Sequence, residues 1–123
     1  MKVLVVDGAN VVGSRPDGWW RDRARAALRL HGTLAVADLP YDEVVLVLEG
    51  QARAGVPAGK DGPLRTVHAA RDGDSAVVRA VTSAVEQAQA VVVVTADRAL
   101  AQRAEVAGAQ VMSPTWLLSV LEA

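Results

Sequence analysis

The sequence predicts an α/β protein: a three-layer sandwich with a central, mainly parallel sheet flanked by helices. Two observations carry this. Val-rich apolar runs recur at Lys2–Val6, Val44–Leu48, Val91–Thr95 and, in shorter form, Gln110–Met112, with a weaker run at Leu64–His68. They are continuously apolar, not alternating, as suits strands buried on both faces of a parallel sheet. Between them lie segments with apolar residues at helical spacing, so strand and helix alternate in the Rossmann-like manner.

The first helix is read over Trp20–Leu30, with Trp20, Ala24, Ala27, Leu28 and Leu30 facing inward. Ser75–Ala88 carries Val77, Val81, Ala84, Val85 and Ala88 on one face, and Asp97–Ala107 carries Leu100, Ala101, Ala104 and Ala107. Ser113-Pro114 supplies an N-cap and a Pro at the first helical position, ahead of Trp116, Leu117, Val120 and Leu121. Gly13–Gly18 and the longer Gly50–Pro63 read as loops. Trp20 and Trp116 are expected in the core, and Trp19 over the sheet edge.

The 123 residues, 51% of them apolar, fit one domain over 1–123 with a proper core. With no Cys, disulfides, thiolate metal sites and Cys nucleophiles are excluded. No apolar run approaches the about 20 residues needed to cross a bilayer, and the N-terminal run is too short for a leader. The cytoplasm is therefore the expected compartment, with no membrane partner. A net charge of −1 excludes a wholly basic nucleic-acid coat but not a local basic patch.

In open α/β sheets, sites form beyond the carboxyl ends of the strands. Asp7-Gly8-Ala9-Asn10 follows the first strand, and Glu49-Gly50 the second. Asp72-Gly73-Asp74-Ser75 opens a helix, and Thr95-Ala96-Asp97-Arg98 follows the Val91 strand. If the sheet is parallel, all these acids share one edge. Asp74 and Asp97 each have a plain reading as helix caps. Together, carboxylates on one edge repel unless a cation neutralises them. Oxygen-only ligands favour Mg²⁺ or Mn²⁺ over Zn²⁺. His31 and His68 are expected to lie off this edge.

Val5-Val6-Asp7-Gly8-Ala9-Asn10-Val11-Val12 resembles the "VDGxNvi" opening of NYN domains, a branch of the PIN-like nuclease superfamily. Asp72-Gly73-Asp74-Ser75 looks like that family's "xADs" element, and Val93-Val94-Thr95-Ala96-Asp97-Arg98 is similar to its "vvTsD". Gly108–Ser113 resembles its closing "Gaxvxs" segment. The YacP-like ribonucleases form the nearest branch. The resemblance spans nearly the whole chain in order. It implies a PIN-like fold and Mg²⁺- or Mn²⁺-dependent hydrolysis of RNA phosphodiesters by metal-activated water, probing single-stranded or structured RNA endonucleolytically. Asp7, Asp74 and Asp97 match the family's metal-binding acids, and Asn10 the Asn that accompanies the first. Glu49 stands where many members carry an Asp, one methylene shorter, and Ala96 where Ser is common. Asp72 has no secure counterpart. Thr95, Ser75 and Asp72 are read as supporting groups around the metal ligands Asp7, Asp74, Asp97 and Glu49.

RNA contacts are expected from Arg15, Arg53, Lys60 and Arg98, basic residues in the loops and at the helix start assigned to this edge. Arg25 and Arg29, four apart, read as a solvated helix face. A Trp19 or Trp20 ring could stack on an unpaired base, although core packing is the plainer reading.

Rival readings are an inactive RNA-binding relative and the nuclease toxin of a toxin–antitoxin pair with a protein inhibitor. A haloacid-dehalogenase-like phosphatase needs a second Asp where Ala9 stands. A phosphorylated receiver needs a late Lys, and none follows Lys60. Gly8 and Gly13 do not form a dinucleotide fingerprint. The apolar last helix can pack on its own sheet or in a homodimer.

Overall fold

The computed structural model describes residues 1–88 and 90–122. Its strands are β1 (Lys2–Asp7), β2 (Glu43–Leu48), β3 (Gly59–Asp61), β4 (Leu64–His68), β5 (Ala90–Val94) and β6 (Gln110–Met112). Its α-helices are α1 (Gly8–Gly13), α2 (Arg23–Val36), α3 (Gly73–Val85), α4 (Arg98–Val106) and α5 (Pro114–Leu121). Single 3₁₀ segments occupy Trp19–Arg21 and Gly50–Gly55.

The strands form one sheet in the order β3-β4-β2-β1-β5-β6. All neighbours are parallel except the β3–β4 pair. β1 lies between β2 and β5, so the chain winds outward from it in both directions. This is where an open α/β sheet leaves a crevice at its carboxyl edge.

Alternate residues of each strand enter opposite layers, as the pleat requires. Leu4, Val6, Leu46 and Val94 pack with Ala27, Leu30 and Leu34 of α2 and Leu117 of α5. Val3, Val5, Val45 and Val93 pack with Val77 and Val81 of α3 and Leu100 and Ala104 of α4. Both faces of the sheet are thus covered, which is why the strands are continuously apolar. The predicted three-layer sandwich is the observed fold. No helix among the described residues is long and apolar enough to cross a membrane.

Several local expectations change. The first long helix begins at Arg23, where Asp22 accepts the Arg25 N–H at 3.0 Å, and continues to Val36. Trp20 therefore precedes the helix and is 52% exposed, not core, while Trp19 is the half-buried member of the pair. Shifting the helix also turns Leu28 outward; Ala27, Leu30 and Leu34 form the inner stripe. A one-and-a-half-turn helix, α1, occupies Gly8–Gly13, too short for its periodicity to register. The Gly50–Pro63 loop contains the 3₁₀ segment and β3, an antiparallel edge strand with all three residues exposed. A helical or strand period cannot be read from three residues.

The 3₁₀ segment is held tightly against α2. A Cβ placed on Gly55 would lie 1.9 Å from the Ala24 carbonyl oxygen, so only glycine permits this approach.

Candidate active site

Asp7 is the last residue of β1, only 4% exposed, at the carboxyl edge next to α1. Its neighbour Gly8 is required by proximity: a Cβ there would stand 2.6 Å from the Val47 carbonyl oxygen of β2. One carboxylate oxygen, Oδ2, accepts from the Asn10 amide at 2.6 Å and from the Thr95 hydroxyl at 2.9 Å. Burial pushes the Asp7 carboxyl above its ordinary range; the bonds from Thr95 and Asn10 oppose that shift, and the nearby Glu49 carboxylate adds to it.

Thr95 follows β5 and is buried. Its Oγ1 donates to Asp7 and accepts the Asp97 N–H at 3.1 Å. One hydroxyl therefore ties the Asp7 carboxylate to the backbone of Asp97. Asp97 caps α4, its Oδ1 accepting the Leu100 N–H at 3.0 Å. The capping and edge readings of Asp97 are compatible, because the cap uses one oxygen. Thr95→Val removes the hydroxyl and keeps the shape. It is expected to cost about 1–3 kcal/mol by leaving buried polar groups unpartnered, measurable as a lowered denaturation midpoint with an unchanged slope.

Glu49 reaches from the end of β2 to the start of α3, where its Oε2 accepts the Gly73 N–H at 2.7 Å. A Cβ on Gly73 would come within 3.1–3.2 Å of the Glu49 carboxylate, so the glycine makes room for it. The cap of α3 is Asp72, not Asp74: Asp72 Oδ1 accepts the Ser75 N–H at 2.8 Å and Oδ2 the Ser75 hydroxyl at 3.3 Å. Those bonds hold the exposed Asp72 carboxyl below its ordinary range. Asp72 and Ser75 thus form the helix start.

Asp74, in the first turn of α3, is released from capping and half-buried. Its carboxyl is pushed up first by burial and then by the carboxylates of Asp97, Asp7, Asp72 and Glu49. The structure therefore brings Asp7, Glu49, Asp74 and Asp97 to one edge, where α1, α3 and α4 all begin. Three helix N-termini offset part of the repulsion. Among the described residues, none of these four acids is ion-paired to a basic side chain.

The donor set is all oxygen, with one oxygen of Asp7, Glu49 and Asp97 left over from the bonds above. Among the described residues, no three acid or imidazole side chains are arranged to ligate one ion directly. The arrangement fits a hard ion that keeps several waters, as Mg²⁺ does, and does not fit a closed protein cage. His31 faces Asp61 at 3.9 Å, away from the edge. His68 ends β4, but its ring nitrogen sits 2.7 Å from the Val56 carbonyl oxygen.

The expected RNA-binding cations separate. Lys60 lies on β3 opposite Arg65, beside Glu43 and Met1 at the amino end of the sheet, because the presumed loop is a hairpin. Arg15 is ion-paired to Glu122, joining the loop after α1 to the end of α5. Arg53 stays near the edge as a brace, donating to the Gly50 and Ala69 carbonyls at 3.1 and 3.3 Å. Arg98 is exposed next to Asp97.

Beside Glu49 opens a cleft of about 340 Å³, walled by Ala9, Trp19, Arg23, Ala52 and Arg71. Arg71 belongs to none of the motifs in the sequence. The available signal was its place just before Asp72-Gly73-Asp74, in the turn that the topology delivers to this edge.

No protein-family model matches the sequence, and no curated protein matches it. The fold is similar to the crystal structure of Rae1 (YacP) from Bacillus subtilis (W164L mutant), with a TM-score of 0.75 over 99% of this chain and 76% of that one, at 20% identity. The chain therefore shares the fold of that protein, a Rossmann-like sandwich with a mainly parallel sheet.

Proposed function

We propose that this chain is a Mg²⁺- or Mn²⁺-dependent ribonuclease of the YacP-like, NYN type, cutting RNA endonucleolytically. The carrying observation is the convergence of Asp7, Glu49, Asp74 and Asp97 at the crevice beside β1, none of them ion-paired to a basic side chain among the described residues. A surface that only binds RNA gains nothing by presenting four carboxylates to phosphate. The sequence motifs that resemble the NYN family place its three acids on the same positions, and the likeness to Rae1 (YacP) supports the fold in which they would act.

Asp7, Asp74, Asp97 and Glu49 are the residues that would hold the ion, directly or through water. When bound, the ion supplies charge to the scissile phosphate and acidifies an attacking water. Asn10 and Thr95 keep the Asp7 carboxylate in one orientation, and Thr95 fixes its spacing from Asp97. Gly73 holds Glu49 against α3. No amino-acid nucleophile is required.

The test uses mixed single-stranded RNA with Mg²⁺, Mn²⁺ or chelator, and Asp97→Asn alongside. Asn caps helices as well as Asp does, so the variant keeps the fold and drops the charge. Cleavage that needs metal and disappears in the variant supports the reading. At about a hundredfold excess over Kd, metal should raise the wild-type melting temperature by roughly 10 °C, and that of Asp97→Asn by much less. Equal shifts, with no cleavage, reduce the acids to caps and the protein to a binding module.

A further inference from the structure

We propose that the cleft beside Glu49 is a subsite for one unpaired RNA base, with Trp19 as its aromatic wall and Arg23 and Arg71 placed for the adjoining phosphates. The inference rests on the ribonuclease reading, since it supplies that site with a grip on its substrate.

The chain has four aromatic residues, three Trp and one Tyr. Two of the Trp stand outside the core, edge to face with ring centroids 6.1 Å apart. Trp19 is half-buried over Gly13 and lines the cleft. The Arg23 guanidinium lies 5.3 Å from its ring centroid. An indole with a guanidinium beside its ring is a surface on which unpaired bases pack. The cleft's volume, about 340 Å³, falls at the small end of ligand pockets. A concave site of this kind admits a base only when that base is out of the helical stack.

Charge points to the same occupant. Arg23 and Arg71 are both exposed, and among the described residues neither is ion-paired, although Glu49 lines the same cleft. Two such guanidinium groups next to four carboxylates give a phosphate chain a route to an edge that would otherwise repel it. The walls are firm. Ala52 belongs to the 3₁₀ segment and Arg23 begins α2, and these two elements are clasped at Gly55 and Ala24. An indole face stacks on any of the four bases, so this subsite selects for an unpaired base more than for its identity.

The test measures binding of labelled single-stranded RNA to the full chain in chelator, where metal-dependent cleavage is off. Trp19→Ala and Arg71→Ala are each expected to weaken binding about tenfold, and Trp19→Phe to stay within about twofold. An abasic ribose-phosphate strand should bind the wild type correspondingly less well and ignore Trp19→Ala. Arg71 is an exposed residue of a surface turn, so its variant tests the subsite even if Trp19→Ala fails to fold. Unchanged affinity in Arg71→Ala, with equal binding of abasic and normal strands, overturns the subsite. Cleavage that persists alongside that result leaves the ribonuclease reading intact. Base-dependent binding lost in the variants, from a protein that cleaves RNA with neither Mg²⁺ nor Mn²⁺, keeps the subsite and removes the ribonuclease.

Discussion

Asp7→Asn is expected to lower metal-dependent RNA cleavage by at least about 100-fold and, in chelator at neutral pH, to make the protein more stable. Both follow from one buried carboxylate. Asn can place its carbonyl oxygen where Oδ2 now accepts from Asn10 and Thr95, so the local bonds survive. The charge, which burial penalises, is removed. The pH dependence follows from the sign of the shift. Asp7 is raised from its ordinary value of 3.8, so the folded state holds its proton more tightly than the unfolded chain does. Between 3.8 and the raised value, wild-type stability falls as pH rises, and above that window the penalty is fully present. The advantage of Asp7→Asn should therefore be largest at neutral pH and shrink as acid protonates wild-type Asp7. Mg²⁺ should reverse the order by stabilising only the wild type. Melting both proteins across pH, with metal and with chelator, checks this. A variant less stable than wild type in chelator at neutral pH would contradict the origin assigned to the strain.

Gly55→Ala carries the second large effect, and it concerns the fold alone. The added methyl would meet the carbonyl oxygen, carbonyl carbon and Cα of Ala24 at 1.9, 2.7 and 3.0 Å. These are backbone atoms in the first turn of α2, with no rotamer to yield. Relief requires moving the 3₁₀ segment off the helix. The expected cost is about 3 kcal/mol, a fall in melting temperature of roughly 10 °C. Gly32→Ala is the matched control. It sits in α2 with nothing within 4 Å of the added carbon. There, Ala should stabilise by about 0.4–1 kcal/mol through the unfolded chain. If both variants melt within a degree or two of wild type, the close contact at Gly55 does not exist in solution.

The strands that build the sheet's centre are legible because burial on both faces leaves an unbroken Val-rich trace. The acid edge is legible for the same reason: once β1, β2 and β5 are parallel, the residues after each must meet. What is hidden depends on contacts across the chain. Nothing local marks Lys60 as part of a hairpin, because three exposed residues carry no period. Nothing local distinguishes Asp72 from Asp74 as the cap of α3, since either begins a helix plausibly; the choice follows from where Gly73 meets Glu49. Thr95 is legible only as a supporting group; that its hydroxyl joins Asp7 to the Asp97 backbone depends on β5 lying beside β1. Trp20 leaves the core because Asp22 moves the start of α2, and Arg15 is drawn into an ion pair with Glu122 from the far end of the chain.

The bond between Thr95 and Asp7 joins residues 88 positions apart. It exists only after β5 has been inserted beside β1, across a chain that must first lay down β2, β4 and α3. During synthesis, a nascent polypeptide that stops short of β5 has the first acid but neither Thr95 nor Asp97. Pairings of such long sequence separation form late, because their loop-closure cost is met only when most of the domain is available. The acidic centre is thus a property of the completed sheet, and a chain still being translated has not yet brought its carboxylates together.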